Sequence, residues 1–169
     1  MDKQRGFSLI ELLIVVAIVL IIAAIAIPNL LRSKIAADES SAVSLVRTIN
    51  TAELTYSTSW GAGYSSDLAS LGGPPPCAVP SAAAACIIGP DLTIAPFMKS
   101  GYTFGVLGNS PGGGANNGFE VNATPVLVDV TGKRAFCSDQ TGVIRFNTSG
   151  ASIGLAAGNC STAALLVGN

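Results

Sequence analysis

From Phe7 to Leu31 the chain runs through 25 residues whose only charge is Glu11. At ~1.5 Å rise per residue such a run makes a helix of roughly 37 Å, enough to cross a hydrocarbon core about 30 Å thick. Past Pro28 the pattern changes, and Asn29, Arg32, Ser33, Lys34, Asp38, Glu39, Ser40 and Ser41 enter between apolar positions. Leu31, Ile35, Ala42, Leu45, Val46, Ile49, Ala52 and Tyr56 recur mostly at intervals of three, four or seven, the stripe of an amphipathic helix. Asp38 and Glu39 interrupt this stripe where a further apolar residue is expected. Ser44, Arg47, Thr51 and Thr55 fall on the outward face. No Gly or Pro lies between Asn29 and Trp60, so one helix is predicted to about Ser57, ended by Gly61 and Gly63. Pro28 lacks a donor and clashes with the carbonyl four residues back, so a kink is expected over residues 24–27.

From Gly61 to Lys99 periodicity gives way to punctuators: Gly72-Gly-Pro-Pro-Pro-Cys77, Pro80 to Cys86, Gly89-Pro90 and Pro96. A connection this long needs pinning or a function such as surface display. Ser65 to Leu71 reads as a short helical turn with Ser66 or Asp67 at its start. Alternation follows. Tyr102, Phe104 and Val106 share one strand face, as do Phe119, Val121 and Ala123, with a Gly/Asn-rich loop from Gly108 to Gly118 between them. Lys133–Ser138 and Val143–Asn147 flank Asp139-Gln-Thr-Gly142, a good antiparallel hairpin. The expected fold is α+β: a long N-terminal helix, apolar and transmembrane over 7–28 and amphipathic over 29–60, whose second half packs on a C-terminal antiparallel sheet. Residues 61–100 form a loop region, and 101–169 the sheet and tail.

Composition narrows the function. The formal charge of −1 and a pI near 5.2 leave no broad cationic field, so no specific nucleic acid is predicted as a partner. Histidine is absent, which removes the commonest general base and transition-metal ligand. No spacing resembles a metal knuckle, so neither metal nor cofactor is expected. The four cysteines all follow the apolar run and favour disulfides in an oxidising compartment. Three pairings are open; sequence proximity favours Cys77 with Cys86 and Cys137 with Cys160. Asp129 and Asp139 are too few for a calcium site and read as turn residues. Gly112-Gly-Gly114 has no lysine or helix start after it and reads as a flexible loop. Asn122, Asn147 and Asn159 fit or approach a glycosylation pattern of small weight here.

The start of the chain carries the most specific signal. Lys3 and Arg5 precede the apolar run and should keep that end cytoplasmic. A secretory signal would have a shorter apolar core and a small-residue cleavage site. Instead, a basic leader, Gly6-Phe-Ser-Leu-Ile-Glu11, an unbroken apolar helix and Pro28 at its far end closely resemble the N-terminus of type IV pilins and type II secretion pseudopilins. The resemblance implies removal of residues 1–6 by a prepilin peptidase between Gly6 and Phe7, and methylation of the new Phe7 amine. It also implies that this amine pairs with the Glu11 of a neighbouring subunit, setting axial register. A carboxylate inside a membrane segment is costly, by ~2.5 kcal/mol or more at the centre, and cleavage would supply its partner. A glutamate snorkelling to the interface is the plainer reading. The Pro28 region can lose helical bonds on filament packing in that family.

A second, looser resemblance covers Gly101-Tyr-Thr-Phe104, Gly118 to Pro125, Thr131 to Phe136 and Asp139 to Arg145, which look like the globular half of a subgroup of pilins and major pseudopilins. In many type IV pilins a disulfide-bounded tail closes the sheet edge, and Cys137 with Cys160 would do so here. What the family implies is a structural subunit and not an enzyme. It is held in the inner membrane with its N-terminus cytoplasmic, then assembled by inner-membrane machinery into a helical homo-oligomer, an extracellular pilus. The major pseudopilin of a periplasmic pseudopilus is the alternative. A membrane-tethered minor pilin binding a ligand or DNA, with Lys133-Arg134 as its adjacent cations, is the reading from another class.

Overall fold

The computed structural model describes residues 7–61, 63–77, 79–110, 113–155 and 160–165. Two compact units divide the chain, Met1–Lys34 and Ile35–Asn169. One helix, α1 (Leu9–Trp60), contributes to both.

In the first unit α1 carries the apolar run, and its aliphatic side chains are bare, with Leu9 80 % and Ile25 67 % exposed. The helix opens on Ser8, whose carbonyl accepts from the N–H groups of Glu11 (3.1 Å) and Leu12 (3.2 Å). It stays helical through Pro28. Just beyond, Asn29 Nδ2 donates to the Ile25 carbonyl (3.1 Å) and Ser33 Oγ to that of Asn29 (3.0 Å). Among the described residues α1 is the one helix long and apolar enough to cross a membrane.

The second unit combines α1 from Ile35 onward with a six-stranded antiparallel sheet. Its strands are β1 (Met98–Lys99), β2 (Tyr102–Asn109), β3 (Gly118–Pro125), β4 (Ala135–Asp139), β5 (Arg145–Asn147) and β6 (Ala164–Leu165). Each pairs with its neighbour in sequence, and the register aligns Phe104 with Ala123, Ala123 with Phe136 and Phe136 with Phe146. Ala42, Val46, Ile49, Ala52 and Tyr56 of α1 form one buried cluster with Tyr102, Phe104, Val106, Phe119, Val121 and Phe136 of the sheet. Each fully buried large apolar side chain contributes on the order of 1.5–3 kcal/mol. The predicted stripe therefore covers the sheet from Ala42 onward, while its first member, Leu31, and Ser44, Arg47, Thr51 and Thr55 are exposed.

The expected alternation holds along β2, where Tyr102, Phe104 and Val106 are buried and the residues between them are less so. Along β3 both faces are covered. Asn122 Nδ2 donates to Ser152 Oγ (2.9 Å), and the Cys160 N–H donates to Glu120 Oε1 (3.1 Å), so the tail lies across the face opposite α1. A disulfide joins Cys137 to Cys160 there.

The 61–100 connection is more structured than its composition suggests. It holds a 3-10 turn at Ala69–Leu71, started by Asp67 Oδ1 accepting from the Ser70 N–H (2.9 Å), a single-turn helix α2 (Pro90–Thr93), and β1. A second disulfide, Cys77 to Cys86, staples its middle, and Tyr56 Oη donates to the Ala82 carbonyl (2.7 Å) to tie it to α1. The predicted hairpin turn is present at Asp139–Gly142, where Gly142 adopts φ +73° and its N–H donates to the Asp139 carbonyl (2.9 Å).

Candidate functional site

The residues with the most specific pattern lie at the start of α1. Gly6 and the leader Met1–Arg5 lie outside the described residues. Phe7 is 73 % exposed and precedes the first helical turn, and Glu11 is exposed in that turn. A carboxylate is favoured there because the free N–H groups of a helix start carry partial positive charge. Phe7 and Glu11 are four positions apart, about one helical turn, which brings both to the same end of the helix.

The head is tied to α1 by two buried carboxylates. Glu39 is reached from four donors on the two residues just before β4. The N–H groups of Lys133 (2.8 Å) and Arg134 (3.1 Å) donate to Oε1, and Arg134 Nε (2.9 Å) and Nη2 (2.7 Å) donate to Oε2. The guanidinium of Arg134 also lies 5.6 Å from the Phe136 ring centre and 5.5 Å from that of Phe146, within cation–π range. Tyr102 Oη donates to the Arg134 carbonyl (2.8 Å); burial, then the charge of Glu39, pushes its phenol well above the usual range.

Glu53 is fully buried and accepts from the Ser65 N–H (2.9 Å) and Ser65 Oγ. Burial pushes its carboxyl up, against the pull of the Ser65 hydrogen bonds, and nearby Asp67 adds to the rise. Asp67 itself is held low: burial opposes this, but the Ser70 N–H and hydroxyl, the Ser66 hydroxyl and the Ala69 N–H outweigh it. A third buried polar link joins Asn50 Nδ2 to Ser138 Oγ (2.7 Å). None of these contacts was anticipated from the sequence. The available signal was Glu39 standing where an apolar residue belongs on the stripe, which reads equally well as a break.

The other candidate residues have structural duties. Asp129 faces Lys133 Nζ at 3.8 Å, and Asp139 Oδ1 caps its own turn through the Thr141 N–H (2.9 Å). Among the described residues no three metal-ligating side chains come together. Lys133 and Arg134 do not act as a joint cationic pair, since Arg134 is committed to Glu39. Asn122 is buried and Asn147 Oδ1 accepts from Ser149, while Asn159 and Gly112 lie outside the described residues. Two shallow depressions of about 240 and 310 Å³ flank the Cys77–Cys86 bridge, lined by Gly, Pro, Ala, Ile, Thr93 and the bridge itself. No titratable side chain lines either one.

Residues 1–27 match the family described as the prokaryotic N-terminal methylation motif. The chain is 46 % identical over 43 residues to type II secretion system core protein G of Escherichia coli (strain K12), covering 25 % of this chain and 30 % of that protein. It is 44 % identical over 54 residues to type IV major pilin protein PilA of Myxococcus xanthus (strain DK1622), covering 32 % of this chain and 24 % of PilA. The chain thus spans less than a third of the length of these relatives. No solved structure matches it. Through this N-terminal segment, borne by an apolar helix ahead of an antiparallel sheet, the chain is similar to type IV pilins and type II secretion pseudopilins.

Proposed function

We propose that the chain is the structural subunit of a type IV pilus. In this reading a prepilin peptidase cuts between Gly6 and Phe7 and the Phe7 amine is methylated. The precursor waits in the inner membrane, N-terminus cytoplasmic, until assembly machinery moves it into a helical filament. The observation that carries the reading is a helix half that follows the methylation motif and leaves its aliphatic side chains bare, in a chain whose head has a closed core of its own. Such a surface needs lipid before assembly and other helices after it. The freed Phe7 amine and Glu11 are opposite charges at one helix end, and pairing between copies would offset the cost of a carboxylate among apolar groups.

The similarity to core protein G supports a second reading, the major pseudopilin of a type II secretion system. Four cysteines and the long 61–100 segment favour the pilus. A DNA-capturing minor pilin is disfavoured, because Arg134, half of its best cationic pair, is engaged by Glu39.

The test is electron microscopy of fibres sheared from cells, with mass spectrometry of their subunit. A subunit beginning at methylated Phe7 is expected; an unprocessed chain confined to the membrane would overturn the assignment.

A further inference from the structure

The two disulfides have different surroundings. Cys137 and Cys160 are fully buried, whereas Cys77 and Cys86 are half-buried. The Cys77–Cys86 bridge also lines the depression of about 240 Å³, beside Gly73, Pro75, Pro76, Ile87 and Ile88. Gly73 keeps that flank open: a Cβ there would stand 2.7 Å from Cys77 Sγ and 2.9 Å from Cys86 Sγ, crowding both sulfurs. The φ of Gly73 lies outside the left-handed region, so its backbone alone does not ask for glycine. The bridged residues themselves do lie in that region. Cys77 has φ +58° and Cys86 φ +59°, which residues with a Cβ adopt at a cost, and neither Cys137 nor Cys160 shares this. Opening the bridge frees both residues to leave it, which favours the reduced form, while exposure favours attack. Loop length works the other way, since a separation of 9 residues rather than 23 favours reclosure by about fourfold on loop-closure entropy. That effect is small beside burial, because buried sulfurs react only when the head opens.

We infer that Cys77–Cys86 is a thiol–disulfide exchange site, at which an uncharged dithiol entering the depression opens the bridge while Cys137–Cys160 stays closed. The reacting thiolate meets no carboxylate there: no titratable side chain lines the depression, and Asp91, next in sequence to the lining Pro90, is paired with Lys99 Nζ at 3.6 Å. One thiolate of the dithiol bonds to a bridge sulfur as the bond between Cys77 and Cys86 breaks, and the electron pair leaves on the other cysteine, which takes up a proton. The second thiol then gives up its proton, attacks the first sulfur of the dithiol and displaces the protein's cysteine, which is protonated in turn. The dithiol is thereby oxidised by two electrons to a cyclic disulfide, and both cysteines end as thiols. Opening has a bounded reach. The Ala85 N–H donates to the Ser70 carbonyl (2.9 Å), that of Cys86 to Gly72 (2.9 Å), and those of Ile87 and Ile88 to Leu71 (2.9 and 3.0 Å). Leu71 and Ala85 belong to the buried cluster. Reduction therefore loosens the loop that the bridge closes, with its tie from Tyr56 Oη to the Ala82 carbonyl, and leaves the head intact.

The test exposes the folded, detergent-solubilised full-length chain to dithiothreitol, quenches samples with N-ethylmaleimide and assigns the labelled cysteines by peptide mass spectrometry. Cys77 and Cys86 should be labelled at least about tenfold faster than Cys137 and Cys160, as an accessible bridge reacts ahead of a buried one. Gly89 lines the depression at a position where an added Cβ meets nothing within 4 Å. Gly89→Glu places a carboxylate there and should slow the reaction severalfold, with added salt restoring the rate, whereas Gly89→Gln should react as the parent does. In the chain reduced at Cys77–Cys86 alone, hydrogen exchange should rise at the Ser81 and Ala84 amides and keep the parent rate at Ile87 and Ile88. Equal labelling of all four cysteines, earlier labelling of Cys137 and Cys160, the same rate in Gly89→Glu as in Gly89→Gln, or lost protection at Ile87 and Ile88 would each overturn the inference.

Discussion

Glu39 on α1 and Arg134, just before β4, are 95 residues apart in sequence and joined by two hydrogen bonds, 2.9 Å from Nε and 2.7 Å from Nη2, to one carboxylate oxygen. The other oxygen takes two backbone N–H groups, so this single carboxylate closes the join between helix and sheet. Glu39→Ala would leave those donors without a partner in a mostly buried place. Fully buried pairs broken on one side lose about 3–5 kcal/mol. Arg134 is 40 % exposed, and solvent softens the loss to about 2 kcal/mol. Denaturant unfolding of the detergent-solubilised chain checks this, and an unchanged midpoint would remove Glu39 from its role.

The pH dependence follows from Glu53. Its folded pKa is raised by burial, so the folded state holds the proton more tightly than the unfolded chain. The protonated side chain therefore carries no penalty below the ordinary carboxylate range, and stability falls as pH rises from there through the raised value. Glu53→Gln should flatten thermal stability across that window while keeping an acceptor for Ser65. A slope identical to that of the parent chain would assign the dependence to another group.

The bridge between Cys137 and Cys160 closes a segment of 23 residues over the buried face of β3. On the chain-entropy view its removal costs about 3 kcal/mol. Replacing both cysteines by serine should open the tail beyond Asn147 to limited proteolysis before the rest of the head is cut. Alkylation of the untreated parent chain should find no free thiol, and four labelled cysteines would overturn both bridges.

On the filament reading, processing and assembly should separate at the N-terminus. A bulky residue in place of Gly6 should block cleavage and leave the intact mass of the precursor. Glu11→Ala should be cleaved normally yet give few or no fibres; abundant normal fibres from it would exclude a role in register.

Much of this architecture was legible beforehand, because periodicity reports burial. The α1 stripe from Ala42 to Tyr56, the Tyr102–Phe104–Val106 face and the turn at Asp139–Gly142 bury or bend where their spacing requires, whereas Leu31, which the same spacing included, is exposed. Other features carry no period. α2 and β1 are too short to show one. Glu120 and Asn122 are polar yet buried, since what covers them is an irregular tail that no pattern announces. Glu39 and Glu53 look like solvated charges until distant donors, Arg134 and Ser65, come within reach. The Phe7–Glu11 end was readable for a different reason: its signal is a string of residue types in a fixed local order, which needs no tertiary contact to be seen.

The strand order gives the molecule a direction of construction. Because every strand pairs with the one made just before it, no pairing waits for a segment still to be synthesised, and loop closures stay short. A chain made from its N-terminus could add β1 to β6 one edge at a time. α1 would be on hand from the outset to cover one face of the growing sheet, and Cys160, arriving near the end, would fasten the tail over the other.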